Sequence, residues 1–205
     1  MRIIRPRRFD SGRRGPYHAR AMSNPLHTRR TAAEWAAVGQ VIDITEKLSG
    51  FERLESVVEA DLAALDDTIR PAGWRDSSVT ARLKFGFVGV GDNVPIVRCE
   101  VAATVDAVCQ RCLEPFRLPL EVDARLLLLA LEETVEGYEE YEVWELSETT
   151  LQPLDIVEEL LIMALPFSAM HAESAACKAL SAEVADTDEM TKPFAALREQ
   201  MTQKH

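Results

Sequence analysis

The chain has 205 residues, a hydrophobic fraction of 47% and a formal net charge of −11, which suits one soluble domain with a real core. Its apolar run Leu126–Leu131 is far shorter than the ~20 residues needed to cross a bilayer, and no apolar stretch follows a positive start. Four cysteines without an export signal are expected as reduced thiols or metal ligands, and the expected location is cytoplasmic.

Charge is unevenly spread. Met1–Ala21 carries seven arginines and one acid, a charge of +6 that leaves −17 on the remainder. Residues 1–24 have no apolar periodicity and are expected to form a disordered basic arm. Three explanations of the arm stay open: an RNA-contacting tail, a transit-like segment, or an over-long gene start before Met22. An acidic body repels phosphate at long range, so any nucleic-acid contact needs the arm or a local basic face.

Thr31–Gln40 predicts a short helical turn and Val41–Ile44 a first strand. Leu54, Val57, Val58, Leu62 and Leu65 recur at helical spacing, and Pro71-Ala72-Gly73 closes that segment. From Ser78 the period becomes two. Val79, Ala81, Leu83, Phe85 and Phe87 share a face, and Gly91-Asp92-Asn93 signals a turn. Val97, Cys99, Val101, Ala103, Val105 and Ala107 repeat the pattern, as do Leu118, Leu120, Val122, Ala124, Leu126 and Leu128. The prediction is an α+β fold, an antiparallel β-meander with helices packed on one face. The domain is expected over residues 25–168, followed by a C-terminal tail over 169–205.

Between the second and third of these strands lies Cys109-Gln110-Arg111-Cys112-Leu113-Glu114-Pro115-Phe116. Two thiols at this spacing reach one metal ion or form a redox pair. A redox role fits poorly, because the pair does not open a helix in a βαβ unit. A structural zinc site needs two further ligands, and His171 and Cys177 supply them if the tail folds back over the hairpin. Otherwise Cys109 and Cys112 are reduced thiols in a turn. Cys99 alternates with the buried face and is expected to act as a small hydrophobe.

Glu132–Glu148 is acidic and contains Tyr138, Tyr141 and Trp144, and no Lys or Arg occurs from Leu126 to Cys177. Val143–Leu146 predicts a fourth strand. Pro153-Leu154-Asp155 opens a helix that Pro166 stops. The remaining chain is polar and rich in Ala.

CQRCLEPF at Cys109–Phe116, LDIVEELLIMALP at Leu154–Pro166, FSAMHAESAAC at Phe167–Cys177 and KPFAAL at Lys192–Leu197 occur in this order. The set resembles the YceD family of large ribosomal RNA subunit accumulation proteins, through most of Val41–Leu197. The resemblance implies a non-enzymatic role in synthesis, processing or stability of 23S rRNA, with that RNA or the pre-ribosomal large subunit as partner. It carries over no catalytic residues.

Arg82, Lys84, Arg98, Arg111 and Arg117 lie on polar strand faces or tips and are candidates for phosphate contact; strand-to-strand ion pairing is the competing account. Phe85 and Phe87 belong to the apolar face rather than to a base-stacking platform. Tyr138, Tyr141 and Trp144 among glutamates point to an alternative function, an acidic adaptor or chaperone for a basic ribosomal protein or assembly factor. Nothing suggests a small-molecule substrate, a nucleotide loop or a nucleophile elbow, so no enzyme is expected.

Overall fold

A computed structural model describes residues 24–89, 94–171 and 177. The basic arm except Asn24, the Gly91-Asp92-Asn93 turn, Lys192–Leu197 and the rest of the expected tail beyond His171 lie outside the described residues, Cys177 excepted.

The first helix, α1 (Ala32–Val38), starts at a reciprocal cap. The Thr31 hydroxyl accepts from Glu34 N at 3.1 Å, and the Glu34 carboxylate accepts from Thr31 N at 2.9 Å. It ends at Gly39, whose φ of 59° suits a residue without Cβ. Strand β1 (Val41–Lys47) follows, then a 3₁₀ turn over Leu48–Gly50 and helix α2 (Glu52–Leu62). Three long strands come next: β2 (Ser78–Val88), β3 (Val94–Val108) and β4 (Pro115–Ala130). A short strand, β5 (Glu142–Leu146), and helix α3 (Pro153–Ala164) follow.

The five strands form one sheet in the order β1-β2-β3-β4-β5. The first three pairings are antiparallel and β4–β5 is parallel, so the sheet is mixed rather than wholly antiparallel. The physical reason is the connection after β4. The chain passes Glu132 at φ 67° and packs Val135, Tyr138 and Tyr141 on Leu127 and Leu129 before β5 begins. A tight hairpin would have forced the opposite strand direction.

The helices cover one face of the sheet. Trp35 of α1 stacks on Phe85 with ring centroids 5.1 Å apart. Leu54, Val58 and Leu62 of α2 and Ile156, Val157, Leu160 and Leu161 of α3 share a core with Val79, Ala81, Leu83, Val97, Cys99 and Val101. Phe87, two residues beyond Phe85 on the same face, is 39% exposed near the strand end and is not core. The opposite face is bare along much of its length and has its own small cluster at one end: Val94, Ile96, Leu127 and Leu129. Among the described residues, no helix is long and apolar enough to cross a membrane.

Candidate metal centre

The β3–β4 connection folds into a tight knuckle. Cys109 N donates to the Glu114 carbonyl at 2.9 Å, and Leu113 N donates to the Cys109 carbonyl at 2.8 Å. This turn puts Leu113 at φ 60° and brings the two cysteines to one side. Two outside groups hold the knuckle. The Asp61 carboxylate at the end of α2 accepts from Val108 N at 2.8 Å, and the Ala169 carbonyl accepts from Gln110 N at 2.9 Å.

That second bond draws the segment after α3 across the hairpin tip. His171 meets Phe116 edge-on at 5.2 Å, and its Nε2 lies 3.2 Å from Cys112 Sγ and 3.9 Å from Cys177 Sγ. Cys109 Sγ and Cys177 Sγ are 3.6 Å apart. The ligand atoms of Cys109, Cys112, His171 and Cys177 all lie within 4.8 Å of one another, a set able to bind a metal ion. Cys109 and Cys177 are buried, while Cys112 and His171 are half-buried. His171 Nδ1 is buried without a hydrogen-bond partner among the described residues, which leaves Nε2 as the atom facing the thiols.

The thiols differ in electrostatic setting. Burial raises the Cys109 pKa, but backbone N–H groups of Cys112, Arg111 and His171, with the Cys177 thiol, outweigh it and bring Cys109 down to about 6. Burial and the neighbouring Cys177 and Cys109 sulfurs push Cys112 up to about 11. Two adjacent thiolates repel, so the pair shares its first negative charge unequally until a cation neutralises both. Cys99 is elsewhere, fully buried in the sheet core, and burial pushes it up to about 12.

A family model described as "Large ribosomal RNA subunit accumulation protein YceD" matches residues 97–200. The chain belongs to this family. The YceD match takes in most of β3, all of β4, β5 and α3, and the four clustered ligands, whereas β1, β2, α1 and α2 precede it. No curated protein and no solved structure gives a significant match.

The basic residues do not form a single patch. Arg111 is exposed at the tip, its Nη2 3.9 Å from Met170 Sδ, and Arg117 pairs with buried Asp106 at 3.7 Å. Lys84 and Arg98 stand opposite each other far along the strands, and Arg98 is opposite Arg125. Eight residues separate Arg98 from Asp106 on β3, roughly 27 Å of strand. Arg82 sits in the next row between Asp43 and Glu100, its register neighbours. Lys84 and Arg82 also precede the YceD match.

The aromatic candidates are divided too. Tyr138 and Tyr141 are half-buried, 6.4 Å apart edge-on, and cover Leu127 and Leu129 on the open face. Trp144 is half-buried against the main core. Leu127 and Leu129 were the residues that strand alternation alone passed over. The run of four leucines was their signal, because both faces of that strand end are covered.

Proposed function

We propose that the protein is a non-catalytic ribosome biogenesis factor. In this proposal it is needed for the synthesis, processing or stability of 23S rRNA, and it contacts the pre-ribosomal large subunit through the hairpin tip. The family match supports the rRNA assignment, since a match described by large-subunit rRNA accumulation spans the hairpin and all four ligands.

The cluster is best explained as a structural zinc site. Tetrahedral zinc, with Zn–S of about 2.3 Å and Zn–N of about 2.0–2.1 Å, sets S···S edges of roughly 3.8 Å and S···N edges of roughly 3.5 Å. The observed separations of 3.6 Å for Cys109–Cys177, 3.2 Å for Cys112–His171 and 3.9 Å for Cys177–His171 fall around those values. Three thiolates and one imidazole leave no open coordination position, which suits a structural rather than a catalytic metal. Bound zinc would neutralise the thiolates and hold the segment after α3 on the hairpin, so that Arg111 is presented on a fixed turn. Arg117 stands on the same end of the hairpin, while Lys84, Arg98 and Arg82 would meet a different part of any bound RNA.

Crosslinking with RNA sequencing on tagged protein tests the RNA contact. Wild type should enrich a defined 23S rRNA segment, and Arg111→Glu should lose it. In vitro, Arg111→Glu/Arg117→Glu should weaken rRNA binding more at low than at high salt, because fewer counterions are released. No enrichment by wild type, with ribosomal proteins recovered instead, would remove the direct contact. Metal analysis of protein purified without chelator tests the zinc site, with one zinc per chain expected from wild type and little from Cys109→Ser.

A further inference from the structure

The sheet has two outer strands, and they differ in kind. At one edge, β1 mixes signs along Val41–Lys47. At the other, β5 is paired only with β4 among the described residues. In a strand bonded on one side, roughly half of the backbone N–H and C=O groups point outward unpaired. Such an edge is a template for a further strand unless something blocks it.

The side chains around this edge select what can pair there. Trp144 and Leu146 turn toward the main core, and Val143, opposite Leu127 in the register, is 56% exposed on the open face beside Tyr138 and Tyr141. Glu142 and Glu145 are exposed on β5 itself. Glu148 and Glu140 already have ion-pair partners in Arg29 and Arg125, whereas Glu142 and Glu145 have none among the described residues. A second copy of β5 would bring two further glutamates and no base to this edge, which leaves the acidic side chains without opposite charge. A cationic strand would meet opposite charge at the same positions.

We propose that the β5 edge binds an extended, Lys/Arg-rich peptide segment of a protein partner by strand addition. The peptide backbone would continue the sheet outward from Glu142–Leu146. Glu142 shares its face with Trp144 and Leu146, and Glu145 shares the open face with Val143. One basic side chain would therefore pair with Glu142 on one face, a second would pair with Glu145 on the other, and a small apolar side chain would lie over Val143. Attraction between opposite charges would speed encounter, and main-chain pairing would hold the segment in register. This surface is distinct from the hairpin tip, and the inference goes beyond the rRNA proposal without depending on it.

The test uses the full chain, without RNA, and a fluorescent decapeptide that repeats Lys-Val-Val, which sets Lys opposite both Glu142 and Glu145 and Val opposite Val143. Anisotropy should show saturable binding that weakens with salt. Methylating alternate backbone nitrogens of the peptide, which preserves charge and blocks pairing, should weaken binding at least about ten-fold. Replacing Lys by Glu in the peptide should abolish it, and Glu142→Lys/Glu145→Lys in the protein should weaken it by a similar factor. Amide hydrogen exchange should slow at residues 142–146 when the peptide is bound. Equal binding by the methylated peptide would overturn strand addition, as would protection confined to other elements. A single-stranded RNA that protects residues 142–146 where the peptide fails to bind would overturn the choice of a protein segment.

Discussion

Leu113 carries the backbone of the knuckle through the left-handed region at φ 60°, with its side chain 63% exposed. A side chain with Cβ is strained there by roughly 1–2 kcal/mol, and little packing offsets the strain. Leu113→Gly should therefore raise stability by about 0.5–1 kcal/mol in urea denaturation, the relief of strain outweighing glycine's greater freedom in the unfolded chain. Leu113→Val should lower it, because β-branched residues tolerate this region worst. The opposite ranking would mean that the turn is set by packing around Leu113 rather than by the cysteines. Cys99 offers a second test of a single side chain. Burial raises its pKa from 9.0 to about 12, so the folded state keeps a proton that the unfolded state releases. Its contribution is fully present below pH 9 and is lost as pH rises toward 12, by at most about 1.4 kcal/mol per pH unit. Cys99→Ala should flatten this alkaline slope relative to wild type, and alkylation of the native protein at pH 8 should leave Cys99 unmodified.

Helix α2 has no capping side chain of its own, since its N-cap is Phe51. The cap comes from α3, where Glu158, buried at 3% exposure, accepts from Arg53 N at 2.8 Å and from Leu54 N at 3.5 Å. Glu158→Ala leaves the buried Leu54 N and the part-buried Arg53 N without this acceptor and should cost about 1–3 kcal/mol by thermal or urea denaturation. Glu158→Gln keeps an acceptor and should cost less. A loss below about 0.5 kcal/mol for the alanine variant would mean that water replaces the cap. This tertiary cap also shows where sequence reasoning stops. The apolar alternation of Val79–Phe85, Val97–Ala107 and Leu120–Leu128 made β2, β3 and β4 legible, because a sheet with one covered face imposes a period of two. Pro153 and the acids behind it marked the start of α3. The direction of β5 was not legible, because it depends on how Tyr138 and Tyr141 pack over Leu127 and not on any local turn signal. The four candidate metal ligands were legible as residue types. Their convergence was legible only as a condition, that the tail fold back over the hairpin, because the Gln110–Ala169 backbone bond and the His171–Phe116 contact that bring it there are announced by no side-chain pattern. The basic candidates were legible only as exposed positions, and the register separates Arg98 from the tip that carries Arg111.

At the scale of the whole molecule, the cysteine and histidine cluster joins segments 68 residues apart in sequence, counting from Cys109 to Cys177. The span contains β4, β5 and α3, so a metal at this point would tie the hairpin tip to the segment that follows the last described helix. A clip across a long loop limits the unfolded chain more than one across a short loop, although the gain grows only with the logarithm of length. Zinc that binds the folded state alone should add about 2.7 kcal/mol at a free concentration 100 times its Kd. For a chain of this size, each kcal/mol moves the melting temperature by about 2–4 °C, so removing the metal should lower Tm by about 5–10 °C. The expected result is a chelator-induced drop of that size in wild type, reversed by added zinc. Cys112→Ser and His171→Ala should start near the lower Tm and respond little to chelator. Cys99→Ser should keep the full chelator response whatever its own stability, because Cys99 lies in the sheet core away from the four ligands. An unchanged wild-type Tm after complete metal removal would leave the hairpin, Asp61 and Ala169 holding the tip unaided. The close approach of the thiols would then reflect packing alone, and the case for a zinc-held Arg111 would fall with it.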